Sequence, residues 1–135
     1  MNAGKSLPEL FRRQKRRKVT KMSEASEQKT LIKWCEYEKV PIFHIPNGGT
    51  RNPKEAAELK RQGVKPGVPD LFIPLTRGSK HGMFIEMKHG KNKTTDNQNK
   101  WLCYLAGQGY ECHVCYSCES AVACIEKYLM RGETK

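Results

Sequence analysis

The spacing of apolar residues divides residues 23–132 into alternating helices and strands. One helix carries Leu31, Trp34 and Cys35 on a single face, and Ser26 is expected to cap its N-terminus. Short apolar runs between turn residues predict strands, and apolar residues three or four apart predict further helices. The predicted strands cover residues 42–45, 68–74, 83–88 and 110–116, and the other helices cover residues 53–62, 95 to about 107, and 118–131.

Turn-forming residues punctuate these elements. The Pro-Asn-Gly-Gly sequence at residues 46–49 predicts a turn, and the glycines and serine of residues 76–82 suit a hairpin between two strands. The resulting order is helix, strand, helix, strand, strand, helix, strand, helix. This order predicts an α/β fold in which a small mixed β-sheet is flanked by helices on both faces.

The chain is strongly basic, and the charge is unevenly distributed. Its 135 residues include 25 Lys and Arg against 14 Asp and Glu, for a net charge of +11. Residues 1–22 hold eight of the bases and one acid, which predicts a flexible basic arm that grips phosphates non-specifically or serves as an address signal. A merely solvated, disordered terminus is the alternative. The arginines expected to contact nucleic acid are Arg12, Arg13, Arg16 and Arg17.

The length and hydropathy of the chain limit the classes of protein it could represent. The chain has room for one compact domain, expected at residues 23–132. No apolar run approaches the roughly 18 residues of a membrane span, and the N-terminus lacks the residue order of a secretory signal. We therefore expect an intracellular, cytoplasmic protein without a membrane partner, located in the host cytoplasm if it is viral.

Three cysteines share a spacing that also occurs in metal sites. Cys112, Cys115 and Cys118 follow a C-x2-C-x2-C pattern, which would suit a metal-binding regulatory protein. However, the surrounding sequence predicts a strand, on which residues three apart point to opposite faces. We therefore interpret these cysteines as small buried hydrophobic residues and expect no structural zinc.

The segment at residues 83–88 combines an apolar face with two charges. Met83, Ile85 and Met87 alternate with Glu86 and Lys88, so both charged side chains leave the strand on the same face. Charges on a buried strand cost free energy unless they are paired or used. The pattern therefore singles out Glu86 and Lys88 as candidate functional residues.

One of only two aspartates lies where the preceding strand begins. The hairpin at residues 76–82 would bring Asp70 beside Glu86. Two adjacent carboxylates repel each other, so one takes up a proton or a cation lies between them. With oxygen ligands and no nearby His-Cys set, Mg²⁺ or Mn²⁺ fits best, and Lys88 could orient an attacking water or stabilise the phosphate.

These residues resemble a known superfamily. Pro69-Asp70, followed by fifteen residues and Glu86-x-Lys88, is similar to the PD-(D/E)xK phosphodiesterases. The ordered motifs resemble most closely the virus-type replication-repair nuclease (VRR-NUC) branch of that superfamily, which implies a restriction-endonuclease-like core. The motifs that carry the resemblance are Glu27-Gln28, residues 45–49, residues 63–71, residues 84–88, Gln98 with Trp101, and Gly109-Tyr110.

The resemblance assigns roles by position. The catalytic residues it implies are Glu27, Asp70, Glu86, Lys88 and Gln98, and the implied metal ligands are Asp70, Glu86, the Met87 carbonyl and Glu27. Gln98 would support Lys88 or the scissile phosphate, although it could instead only complete a capping box with Thr95. Glu27 could likewise only complement a helix dipole.

The activity implied by the resemblance is hydrolysis of DNA phosphodiester bonds by metal-activated water. Members that stand alone are homodimers that cut branched DNA, such as four-way (Holliday) junctions, during replication and repair. The flexible turn at Asn47, Gly48 and Gly49, together with Arg51, would approach phosphates. Two alternatives stay open at this point, which are a non-catalytic basic DNA-binding accessory protein and a nuclease for flaps, single strands or duplex.

Overall fold

The computed structural model of the chain describes residues 23–47 and 52–132. Helices and strands alternate along this part of the chain as the apolar pattern predicts. The elements are α1 (Glu24–Tyr37), β1 (Phe43–His44), α2 (Pro53–Arg61), β2 (Leu71–Ile73), β3 (Met83–Met87), α3 (Asp96–Gly107), β4 (Glu111–Cys115) and α4 (Cys118–Leu129).

The four strands form one mixed sheet in the order β1-β2-β3-β4. Strand β2 is antiparallel to both of its neighbours, β1 and β3, and Leu71 faces Ile85 in the predicted hairpin. Strands β3 and β4 are parallel, as expected when a helix, here α3, connects two neighbouring strands. The predicted α/β fold with a mixed sheet is confirmed.

One face of the sheet, here called the inner face, forms the hydrophobic core. Its side chains on β2 and β3 have no exposed surface, and they pack with buried residues of α1 and α4. The inner-face residues of these two strands are Leu71, Ile73, Met83, Ile85 and Met87. Because side chains alternate along a strand, the opposite, outer face carries Phe72, Phe84 and Glu86.

Two elements begin more than two residues away from the predicted positions. Helix α1 begins one turn earlier than predicted, because the Ser23 hydroxyl, rather than that of Ser26, accepts the cap hydrogen bond, from the Ser26 N–H at 3.1 Å. Strand β2 has only three residues, and prolines flank it at Pro69 and Pro74. A proline lacks the N–H that a sheet hydrogen bond needs, so the prediction of a longer strand at residues 68–74 is wrong.

No helix within the described ranges is long and apolar enough to cross a membrane. The basic arm at residues 1–22 lies outside the described residues, and the division of the chain into an arm and a domain stays a prediction.

Candidate active site

The hairpin brings the two predicted carboxylates together. Asp70 directly precedes β2, and extending the strand register by one residue places it opposite Glu86. The Oδ2 atom of Asp70 accepts a hydrogen bond from the backbone N–H of Met87 at 2.8 Å. Asp70 is therefore held by the backbone of the strand that carries Glu86.

Glu86 is buried and has an unusual protonation equilibrium. Only 3% of its surface is exposed to solvent. Its pKa is raised to about 8, chiefly by burial and then by the negative charge of Asp70 and a hydrogen bond between the two carboxyl groups. At neutral pH the pair therefore holds one proton unless a cation takes its place.

Lys88 lies next to this pair at the end of β3. Its positive charge acts to lower the pKa of Glu86, against the effects of burial and Asp70. The Lys88 backbone N–H donates to the carbonyl of Cys115 at 2.9 Å, which continues the parallel pairing of β3 and β4 beyond Met87. The sheet thus fixes the main chain from which the ammonium group extends.

Gln98 closes a capping box and also contacts the carboxylate pair. Its Oε1 accepts the N–H of Thr95 at 2.9 Å and completes a capping box at the start of α3. Its Nε2 donates to Oε2 of Glu86 at 3.1 Å. The capping box thus aims the amide nitrogen at the Glu86 carboxylate, and the expected support of Lys88 or the scissile phosphate stays a prediction.

A close backbone approach positions α3 on the site. Gly67, in the loop before Asp70, has a φ of 93°, and a Cβ there would lie 2.6 Å from the backbone carbon of Asn97. No other residue fits this contact without displacing one of the two segments. Gly67 therefore allows the Asp70 loop and the first turn of α3 to pack directly together.

The segment before α2 is tied to the same loop. The side-chain amide of Asn47 donates to the Val68 carbonyl, and His44 Nδ1 lies 2.9 Å from the Asp70 carbonyl oxygen. Gln28 of α1 lies 3.4 Å from the same histidine nitrogen. Asn47 thus supports the loop that carries Asp70, and its predicted contact with nucleic acid stays a prediction.

Several predicted nucleic-acid contacts lie outside the described residues. They are Gly48, Gly49, Arg51, Arg12, Arg13, Arg16 and Arg17. Their roles stay predictions.

Glu27 is placed differently from the other predicted catalytic residues. It is buried in α1, and its Oε1 accepts the backbone N–H of Cys118 at 2.8 Å. The structure thus places the Glu27 carboxylate on the Cys118 backbone and not on Asp70 or Glu86. Glu27 therefore complements the positive N-terminus of α4, a neighbouring helix, and not the dipole of its own helix alone.

Glu24 is the α1 carboxylate that sequence reasoning missed. Its negative charge contributes to the raised pKa of Glu86, so Glu24 lies near enough to the carboxylate pair to act on it. The signal was present in the sequence, because Glu24 precedes Gln28 by four residues and the two therefore share a helix face. The misplaced cap at Ser26 excluded Glu24 from the helix and hid this relation.

The cysteines occupy positions that agree with the predicted strand. Cys112 and Cys115 both lie on β4, where Cys112 pairs with Phe84 on the outer face and Cys115 pairs with Met87 on the inner face. Cys115 and Cys118 are buried. Within residues 23–47 and 52–132, no three His, Cys, Asp or Glu side chains are grouped as metal ligands. The expectation of no structural zinc stays a prediction.

Comparison with known proteins gives a consistent picture. The sequence-family model of the VRR-NUC domain matches residues 22–119 of the chain. The solved structure of a VRR-NUC domain protein superposes with a TM-score of 0.75 at 30% sequence identity, over 87% of this chain and 96% of the other. No curated protein sequence matches the chain.

Proposed function

The chain belongs to the VRR-NUC domain family, and we propose on that basis that it is a metal-dependent, structure-specific DNA endonuclease. Membership of the family implies a nuclease-type role with DNA as the substrate. The proposal adds that the chain hydrolyses phosphodiester bonds in branched DNA, in the manner of a four-way junction resolvase. It would act as a homodimer in DNA repair or in viral or mobile-element replication.

The observation that carries the proposal is the buried pair of carboxyl groups. Glu86 is 3% exposed and adjoins Asp70, and its pKa is raised to about 8. An arrangement of this kind opposes folding unless a proton or cation neutralises it. It is therefore better explained by a task than by stability, and this argues against the accessory-protein alternative.

The donor set fits Mg²⁺ or Mn²⁺. Asp70 and Glu86 supply two carboxylates, and Mg²⁺ is commonly bound by one or two carboxylates together with water and substrate phosphates. The backbone carbonyl of Met87, the residue after Glu86, would be a further metal ligand. Helix α1 would contribute the carboxylate of Glu24 or Glu27. A bound ion supplies Lewis-acid activation of water and neutralises charge that develops on the phosphate.

The other residues of the site act on the pair and on the substrate. Gln98 holds Glu86 in one orientation through its 3.1 Å hydrogen bond. The Lys88 ammonium, whose charge is felt at Glu86, would orient the attacking water or stabilise the negative phosphate in the transition state. No covalent enzyme intermediate is needed.

The assembly and the choice of DNA follow from charge and symmetry. A net charge of +11 favours binding to the phosphate backbone. Symmetric cleavage of a four-way junction requires two active sites related by a two-fold axis, which a homodimer provides. The cytoplasm is the proposed location.

The proposal is tested by cleavage of end-labelled four-way junction, fork, flap and linear duplex DNA with Mg²⁺ or Mn²⁺. Controls are EDTA and the Glu86→Ala and Lys88→Ala variants. We expect metal-dependent cleavage that favours the junction, and variants that bind DNA but do not cut it. Preferred cutting of another substrate would replace the junction with that substrate, and binding without cutting under either metal would favour the accessory-protein alternative.

A further inference from the structure

Four aromatic rings form a continuous row across the outer face of the sheet. The ring centroids of Phe43 and Phe72 are 5.6 Å apart, those of Phe72 and Phe84 are 4.5 Å apart, and those of Phe84 and Tyr110 are 5.3 Å apart. We call these four residues the ring strip. They come from three strands and from the residue that precedes β4, so the strip spans the width of the sheet.

The strip is built into the strand register. Phe43 pairs with Phe72, and Phe72 pairs with Phe84, so the three rings lie side by side on one face. The absence of a side chain at Gly82 makes room for the Phe72 ring, because a Cβ there would lie 2.6 Å from that ring. The position of Phe72 is therefore set by the backbone as well as by its neighbours.

One end of the strip is open to solvent. Phe43 is 51% exposed, although a phenylalanine of this size is normally buried against other apolar groups. Helix α3 packs against β4, near the other end of the strip. A row of rings that is half exposed at Phe43 and partly buried at the other three residues is a candidate surface for a binding partner.

The strip lies beside the candidate active site. Asp70 precedes Phe72 by two residues and Glu86 follows Phe84 by two residues, and these strands are antiparallel. Both carboxylates therefore lie on the same side of the strip and on the same face of the sheet, at a distance of about 7 Å along the strands. A nucleotide adjacent to a phosphate held at the carboxylates would reach the rings.

We propose that the ring strip stacks unpaired bases of the DNA strand that is cut at Asp70 and Glu86. This inference rests on the proposed nuclease function and adds its substrate class, which is DNA with unpaired or easily unstacked nucleotides beside the scissile phosphate. Aromatic rings stack on every base, so such a surface recognises single-stranded character without selecting a sequence. The net charge of +11 favours binding of the DNA phosphates that accompany the stacked bases.

The experiment measures DNA binding in EDTA, where no cleavage is needed. Two labelled single-stranded oligonucleotides are compared, one with normal bases and one with a central run of abasic sites that keeps the same phosphates. We expect the intact chain to bind the normal strand roughly 5- to 150-fold more tightly, the range expected for stacking of one base.

Variants at the exposed end of the strip separate stacking from folding. Phe43→Leu should lose most of the preference for bases, because it keeps an apolar side chain but removes the ring, and Phe43→Trp should keep it. Tyr37→Ala is the matched control, because Tyr37 is 65% exposed at the far end of α1. It should bind both strands as the unmodified chain does.

Two outcomes would overturn the inference. One is equal affinity of the unmodified chain for normal and abasic strands. In the other, sedimentation shows that Phe43→Leu converts a dimer to a monomer, while the preference for normal bases over abasic sites is unchanged. That result would make the strip an interface between two copies of the chain. An inactive protein that prefers bases would instead overturn only the proposed nuclease function.

Discussion

The two faces of the sheet are made by the same strands but are organised for different purposes. On the inner face every side chain of β2 and β3 is apolar and fully buried. On the outer face, Glu86 of β3 and Asp70, directly before β2, hold carboxyl groups beside a row of rings, one of which is half exposed. The inner face therefore supplies the free energy that allows the outer face to retain a costly buried carboxyl pair.

Replacing adjacent residues of β3 gives the largest contrast between the faces. Ile85→Ala should lower the free energy of unfolding by about 2–5 kcal/mol, because it leaves a cavity in the core. Glu86→Gln should leave stability at pH 8 unchanged or higher while cleavage falls to background, because it removes only a buried charge. Urea denaturation and the junction cleavage assay measure both effects, and equal destabilisation by the two changes would contradict the division of roles.

A pH series should expose the cost of the outer face. The native pKa of Glu86 is about 8 and its ordinary value is 4.5, so the native state binds more protons than the unfolded state between these values. Stability attributable to Glu86 is therefore full below pH 4.5 and is lost as the pH rises toward 8. Without metal, the free energy of unfolding should fall by roughly 3 kcal/mol between pH 5.5 and 7.5 relative to Glu86→Gln.

The same series with metal sharpens this result. Adding Mn²⁺ should reduce the decline, because the proposed cation would take the place of the proton between Asp70 and Glu86. Glu86→Gln serves as the reference for the titration of all other groups. Parallel curves for the two proteins without metal would show that Glu86 ionises normally.

The contact between the Asp70 loop and α3 should be the next most sensitive feature. Gly67→Ala should cost about 2 kcal/mol of stability or more, because φ is 93° and the new Cβ would meet the Asn97 backbone. Cleavage should also fall, because α3 carries Gln98. Gly107→Ala is the control, since the space around Gly107 is open, and thermal unfolding of the two variants should differ clearly if the contact positions the helix.

Gln98 permits a smaller test that separates helix capping from support of the site. Gln98→Ala should lose about 1 kcal/mol of stability because it removes the capping box. The same change removes the hydrogen bond to Glu86. Gln98→Glu keeps an acceptor for the Thr95 N–H but removes the donor to Glu86, so it should retain more stability and still cut poorly. Full activity of Gln98→Glu would mean that only the capping role matters.

The sequence predicted those features that depend on local periodicity. The alternation of Met83, Ile85 and Met87 with Glu86 identified the two faces of β3, and the turn residues identified the hairpin. These patterns are determined within a single strand or connection, so they can be identified without tertiary information.

The features that were missed depend on contacts between distant segments. The direction of the Glu27 carboxylate toward Cys118 joins residues 91 positions apart. The ring strip was likewise missed, because its rings lie on separate strands and become neighbours only through the register.

The hydrogen bond between Asp70 and the Met87 N–H has a consequence for how chains of this design diverge. One oxygen of Asp70 serves the backbone of the sheet, so the fold alone favours an acceptor at this position even after catalysis is lost. The hydrogen-bond donor that the structure gives Glu86 is the side chain of Gln98 rather than the backbone of the sheet, and the burial of Glu86 costs stability in an inactive chain. A related chain that keeps the aspartate but replaces the glutamate is therefore expected to have lost nuclease activity. The residue at position 86 is a better indicator of retained activity than the residue at position 70.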